Sequence, residues 1–384
     1  MPYQKLGTFI DNSGLLVTGA VGALVWANIA PASYAHFAHA LHFVVNDIAM
    51  ALFFALAAKE VVEAIGPGGP LQSPRRAAVP LIAAVGGMVG PAAIYVALAF
   101  ALGTPELLRG WAIPCATDIA FSYLVARIVF GPKHPAIPFL LLLAIADDAL
   151  GLMILAGFYP TGTLRPGEFA LMLTVALAVG AWLRRRRTQS FWPYIAGAGV
   201  ISWFAFYRGG LHPALALVPI IPFLPHTQPD KGLFVEERRP HDTLNQFEHW
   251  WRMPVQGILF FFGLVNAGVE LSGIGIGTWV VLAAILLGKP IGILSATALG
   301  VAAGLHKPHG VAWRDLTLVG IIAGIGFTVA LFFATAAFPP GPLLEQTKMG
   351  ALLSISGGAI ALGCGHLLQV RRARLIQQPD RRKT

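Results

Sequence analysis

Charge is the scarcest property of this sequence. Asp, Glu, Lys and Arg make up only 12% of the 384 residues, whereas 56% are hydrophobic and the mean hydropathy is +0.69. So few charges cannot clothe a water-soluble domain of this length. The chain reads as an all-α polytopic membrane protein in which most of the length is spans. Cysteine is nearly absent as well. Cys115 and Cys364 both fall in apolar segments, which argues against a disulfide framework, and Cys115 reads as a packing residue. Long polar stretches are missing except for one connection at 226–252, so no soluble domain fits. A clear cleavable signal peptide is also missing: the first thirteen residues are largely polar, and the apolar run Gly14 to Ala30 is followed by many more. The net charge of +9 is not a nucleic-acid footprint, because the basic residues sit mostly between apolar runs and in the tail.

What remains is a succession of apolar runs. Twelve candidate helices are expected, at 14–32, 43–65, 79–102, 111–130, 136–157, 167–184, 191–207, 209–225, 254–271, 276–299, 315–338 and 347–370. Together they form one polytopic domain over 1–384, its short loops ending at signals such as Gly66-Pro67-Gly68-Gly69-Pro70. If both termini share a side, that side collects twenty Lys and Arg residues, among them Arg184 to Arg187, Lys307, Arg314 and a basic tail at 371–384. The opposite side keeps four: Arg109, Arg165, Arg208 and Lys348. Both termini are therefore expected in the cytoplasm, with Arg184 to Arg187 as a topology determinant.

The chain is organised around Phe139 to Leu155, an apolar run with Asp147 and Asp148 side by side at its middle. A charge at membrane depth costs anything from about 3 to over 10 kcal/mol, and such residues face a bundle interior or a watery cavity and mark ion or proton paths. The bland alternative is a structural pair buried against basic partners. A soluble helix is excluded, since the flanks carry no polar face. Lys289, in the middle of span 10, needs a negative partner, and Asp147 or Asp148 is the obvious one. Successive helix residues point about 100° apart, so one Asp can face Lys289 while the other faces a cavity. Asp47 and Glu60 lie in span 2, where Lys59 and Glu60 also read as mere interfacial charges. His212 opens span 8, and a backbone hydrogen bond is enough to explain it.

Two spans look broken. Span 4 is interrupted by Pro114, Thr117 and Asp118, and span 11 by the glycines of Gly320-Ile321-Ile322-Ala323-Gly324-Ile325-Gly326. Non-helical backbone at membrane depth survives only where protein or a cavity satisfies it. Corresponding breaks in spans 3–5 and 10–12 suggest an inverted-repeat transporter with its site at the crossing. Close helix packing is the other use for such glycines. Asp118 would lie where half-helix ends meet, placed either to offset their dipoles or to touch an ion.

These residues resemble the NhaA family of sodium/proton antiporters over nearly the whole chain. The specific matches are Ala116-Thr117-Asp118-Ile119-Ala120-Phe121, Asp147-Asp148, Gly288-Lys289-Pro290 and Gly324-Ile325-Gly326-Phe327-Thr328; Asn46-Asp47, Gly86-Gly87-Met88 and Asn266-Ala267-Gly268-Val269 support them. The family is itself a known example of inverted-repeat architecture. The resemblance implies a multi-pass protein of a bacterial inner membrane, with spans 4 and 11 unwound where they cross. It implies that Asp148 is a principal cation ligand, that Asp147 carries a proton and pairs with Lys289, that Thr117 belongs to the cation site, and that Asp118 and Lys289 balance the half-helix dipoles. Glu60, Glu248 and His249 fall in regions tied to pH activation in the family. There this sequence departs: Arg252 stands where members often have a second His, and Glu60 is followed by Val61-Val62-Glu63 in place of basic residues. A shallower pH activation is expected. The loop Ser33 to His42 is too short for the hairpin some members use to form homodimers, and its His36, His39 and His42 are a candidate metal set.

The expected activity is competition of protons and sodium (or lithium) for one carboxylate site, with alternating access, no resident cofactor and no enzyme chemistry. A sodium-coupled symporter of an organic solute would want a larger polar or aromatic pocket near the pair. A proton-translocating subunit of a membrane redox complex would spread Lys, Glu and His across several spans, whereas midplane charge is concentrated here on spans 4, 5 and 10. No filter-like sequence supports a channel.

Overall fold

A computed structural model describes residues 14–226 and 242–367, and every regular element among them is helical. The first helix, α1 (Gly14–Ile29), ends where Pro31 opens α2 (Pro31–Phe43). A π-helical turn at Val44–Ala49 carries α2 without a loop into α3 (Met50–Ile65). Next come α4 (Pro74–Ala101), α5 (Ile119–Phe130) and α6 (Ala136–Phe158). α7 (Pro166–Arg185) starts on a proline, whose missing N–H is no loss in a first turn. α8 (Val200–Gly209) follows a π-helical stretch at Pro193–Gly199 and stops at Gly210, which takes the left-handed backbone at φ 79°. Asp242 caps α9 (Thr243–Asn266) by accepting from the Asn245 N–H. α10 (Ile276–Ala283) runs through a π-turn at Ala284–Gly288 into α11 (Lys289–Ala302). α12 (Trp313–Ala323) and α13 (Phe327–Ala337) meet at an angle of 49°, and α14 (Pro342–Leu353) and α15 (Ser356–Leu367) complete the described chain.

Among the described residues, seven helical stretches are long and apolar enough to cross a membrane, and the bent α12–α13 pair makes an eighth. Large apolar side chains point outward from them, as from Phe100, Leu171 and Leu299, which suits a lipid solvent. The other four of the twelve expected spans are built differently. α1 is only 16 residues long because Pro31 starts a new helix. The expected loop Ser33 to His42 is helix, since nothing after Pro31 breaks it. The stretch 191–207 is partly π-helical, and 209–225 is a series of tight turns punctuated by Pro213, Pro219 and Pro222. The span expected at 254–271 begins earlier, at Thr243, and ends at Asn266, so that its first turns carry Glu248, His249 and Arg252. The basic tail 371–384, together with Lys5, Lys231, Arg238 and Arg239 of the charge count, lies outside the described residues.

Contacts divide the chain into two units, 1–73 with 148–272 and 74–147 with 273–384, so the division falls inside α6 between Asp147 and Asp148. In the first unit α1 and α9 touch through backbone: a Cβ on Gly19 would lie 2.2 Å from the Phe260 carbonyl oxygen. Tyr34 Oη donates to the Val265 carbonyl (2.8 Å), and the buried amides of Asn46 and Asn266 bond reciprocally at 3.0 and 2.8 Å. In the second unit α4 and α11 approach through glycines on both sides. A Cβ on Gly292 would lie 2.0 Å from the Gly86 carbonyl, and one on Gly90 would lie 2.3 Å from that of Gly288. This contact seats Lys289, the next residue, in the interior of that unit.

Candidate functional site

The chain reaches the site by failing to stay helical. After the tight turn Ile113–Cys115, residues 116 to 118 run extended, and α5 begins with Asp118 as its cap. The gap between α12 and α13 is Gly324 to Gly326. The two interruptions bond to each other: Asp118 N–H donates to the Ile325 carbonyl at 2.7 Å, and Ser122 Oγ donates to that of Ile322 at 3.0 Å. A Cβ on Gly326 would come within 2.9 Å of the Ala116 carbonyl, so this close approach requires glycine.

Asp118 binds the starts of two helices. Its Oδ1 accepts from Phe121 N–H in the first turn of α5 at 3.2 Å. Its Oδ2 accepts from Thr328 N–H at 3.3 Å and from the Thr328 hydroxyl, both in the first turn of α13. A carboxylate at converging helix N-termini satisfies orphan amides and offsets both positive dipole ends.

One residue earlier lies the charged centre. Lys289 is fully buried, and its Nζ donates to Asp147 Oδ2 at 2.6 Å and to Thr117 Oγ1. Thr117 Oγ1 lies 2.6 Å from the same carboxylate oxygen and 2.9 Å from the Ala323 carbonyl, the last of α12. Its single proton serves one of these two acceptors. The other oxygen, Asp147 Oδ1, is buried and has no hydrogen-bond partner. Such an oxygen is costly at this depth unless a proton or cation joins it. Asp148 follows on α6 about 100° further round and is half-buried.

A second cluster lies in the first unit. Lys59 is fully buried, with Glu63 Oε2 at 2.7 Å, Glu60 Oε1 at 3.5 Å and Glu248 in direct ion-pair contact. All three acids are buried too, so Lys59 stands among three carboxylates of the described residues. Glu60 and Glu248 are thus brought together, through Lys59, while His249 is exposed. The view of Lys59 and Glu60 as interfacial charges is corrected here: burial and ion pairing replace solvent. Asp47 is half-buried, with His212 Nδ1 at 3.9 Å, and His212 accepts from the Ala214 N–H at 3.4 Å. His36, His39 and His42 form no metal-binding group, and none exists among the described residues; His42 Nε2 instead meets Asn46 Nδ2 at 2.9 Å.

Sequence reasoning gave no site role to Ser122, Lys59 or Glu63 and named Thr328 only as part of a motif. Two signals were available: the Lys59–Glu63 spacing puts both on one helix face, and Gly326-Phe327-Thr328 sets a hydroxyl in the first turn after a break.

The profile of the family described as Na+/H+ antiporter 1 covers residues 8–367. The chain belongs to this family. Its relatives include a Na+/H+ antiporter NhaA 1 of Pelobacter propionicus, 49% identical over 93% of this chain and 96% of the relative. The Na+/H+ antiporter NhaA of Geobacter metallireducens is 48% identical, with the same coverage of both chains. That of Desulfitobacterium hafniense is 47% identical over 94% of this family member and 95% of its own length. The solved structure of a sodium proton antiporter from Methanocaldococcus jannaschii shares the fold, with a TM-score of 0.54, 14% identity, and coverage of 92% of this chain and 91% of that one.

Proposed function

We propose that the protein is a secondary antiporter that exchanges cytoplasmic sodium, or lithium, for external protons at Asp147, Asp148 and Thr117. The observation that carries this reading is the buried Lys289–Asp147–Thr117 cluster, with its unpartnered Asp147 Oδ1, set where two helices are interrupted. Membership of a family whose relatives are named Na+/H+ antiporters supports it.

In this reading Asp148 is the principal sodium ligand. Thr117 contributes its hydroxyl oxygen, and carbonyls of the interrupted backbone complete the oxygen shell that a dehydrated cation requires. Asp147 carries the proton. When it is ionised, Lys289 balances it; when a proton arrives, the ion pair loosens. Proton and sodium each neutralise the same small group of carboxylates, so one displaces the other. Asp118 stays out of the exchange and holds the ends of α5 and α13. The Lys59–Glu60–Glu63–Glu248 cluster tunes the pH response from the first unit. Spans 3–5 and 10–12 form the inverted repeats, and the excess of Lys and Arg puts both termini in the cytoplasm of a bacterial cell. The reading asks for no resident cofactor and no covalent chemistry.

The test is transport by the purified protein in proteoliposomes with an internal pH dye, adding sodium, lithium and potassium in turn. Sodium-driven alkalinisation or acidification according to the imposed gradient supports exchange. A sodium flux that moves only with an added organic solute, and never with protons, would replace this reading with symport.

A further inference from the structure

We infer that Ser354 is a positioning residue for the cation site, holding the gap between α12 and α13 through the amide of Gly326; the inference rests on the exchange reading above. Ser354 lies at the middle of the apolar stretch Pro342–Leu367 and is fully buried. At that point the helix tightens. Ser354 N–H and Ile355 N–H bond three residues back, to the Ala351 and Leu352 carbonyls at 3.2 and 3.3 Å, and those of Gly357 and Gly358 bond to the Ser354 and Ile355 carbonyls at 2.9 and 3.0 Å. A short 3₁₀ segment inside a long helix is a common mark of a hinge or a local constraint.

The Ser354 hydroxyl is spent on both sides. It donates to the Ala351 carbonyl at 2.6 Å and accepts from the Gly326 N–H at 3.3 Å. Other backbone bonds around the gap run within the same helices or to residues 117–122. Gly324 N–H reaches the Gly320 and Ile321 carbonyls (3.2 Å), Ile325 N–H that of Ile322 (3.1 Å), and the Gly326 carbonyl accepts from Ala330 N–H (2.8 Å). The carbonyls of Ala323 and Ile325 go to Thr117 and Asp118. Gly326 N–H is a donor through which a third span grips the break.

The connection to the site is short. The residue before Gly326 accepts from Asp118 N–H, and Thr328, two residues after it, holds the Asp118 side chain. Thr117 precedes Asp118 and touches Asp147 and Lys289. Without the hydroxyl, a buried amide is left unsatisfied and the gap relaxes. Thr117 and the Ala323 carbonyl then lose register, which weakens cation binding.

Transport in proteoliposomes separates the possibilities. Absence of sodium-driven proton movement in the wild type would sink the exchange reading itself, and this inference with it. With wild-type exchange in hand, Ser354→Ala is expected to raise the apparent sodium KM about five- to tenfold, the size of one buried neutral hydrogen bond, with the maximal rate little changed. Ser354→Thr keeps the hydroxyl and should keep the wild-type KM. Gly363→Ala, on the same span with nothing near its added methyl, should behave as wild type. Amide exchange over the peptide containing Gly326 should quicken in the Ala variant and not in the Thr variant. A wild-type KM in folded Ser354→Ala, or an equal rise in Ser354→Thr, overturns the inference. If the Ala variant does not fold, Ser354→Cys replaces it, because a thiol is a weak hydrogen-bond partner; there an unchanged KM is the refuting result.

Discussion

Replacing Lys59 with Met tests the second cluster with a large expected effect. Lys59 is fully buried and is the cation in ion-pair contact with Glu60, Glu63 and Glu248. Methionine fills most of the lysine stem, so packing is largely kept while the charge is lost. Leaving even one buried carboxylate uncompensated costs about 3–5 kcal/mol. At roughly 2–4 °C per kcal/mol for a unit of this size, the melting temperature in detergent should fall by about 6–20 °C. Unfolding can be followed by tryptophan fluorescence at alkaline pH. Adding Glu63→Gln and Glu248→Gln to Lys59→Met should recover at least half of the loss, because neutral amides need no counter-charge. A Lys59→Met protein that melts within about 2 °C of wild type would refute the claim that these charges are buried together.

Lys289→Met should also destabilise, by about 3–5 kcal/mol if Asp147 stays ionised, and Asp147→Asn added to it should restore stability without restoring exchange; thermal melting beside transport checks both. Gly326→Ala puts a methyl 2.9 Å from the Ala116 carbonyl, so sodium-driven proton movement should fall at least about tenfold, the equivalent of some 1.4 kcal/mol, in protein that still elutes as a single species; unchanged transport would mean that the two interruptions are not in tight contact. Because proton and cation compete, raising sodium should shift the pH profile of exchange toward acid, and Arg252→His, which adds a group titrating near neutrality, should steepen it. A profile indifferent to sodium would contradict competition.

Much of the site was legible because its residues are anomalies where they stand. Two acids in an apolar run, a lysine amid Leu and Gly, and Pro114, Gly324 and Gly326 inside spans each violate a local rule. That Lys289 needs a carboxylate followed from charge, while the choice of Asp147 over Asp148 came from the family resemblance. Lys59 was less legible. It lies near a span end beside two acids, where a solvated charge is ordinary, and its burial depends on Glu248 from a distant helix. The Ser33 to His42 stretch read as the loop between spans 1 and 2, yet with no proline or glycine after Pro31 nothing stops the helix. The turns at 209–225 show the opposite error: apolar composition suggested a span, while Pro213, Pro219 and Pro222 removed the donors a helix needs. Thr328 could be named from its motif, but its bond to Asp118 depends on how two breaks meet.

The central claim is that an ionisable pair at Asp147 and Asp148 trades protons for sodium. The most direct measurement is sodium-driven proton movement by purified Asp148→Asn in proteoliposomes, beside wild type and with both proteins shown to be folded. An amide cannot bind and release a proton in this range or supply a charged oxygen to a cation, so the variant should show no exchange above empty liposomes while melting near the wild-type temperature. Exchange at the wild-type rate in the folded variant would contradict the account.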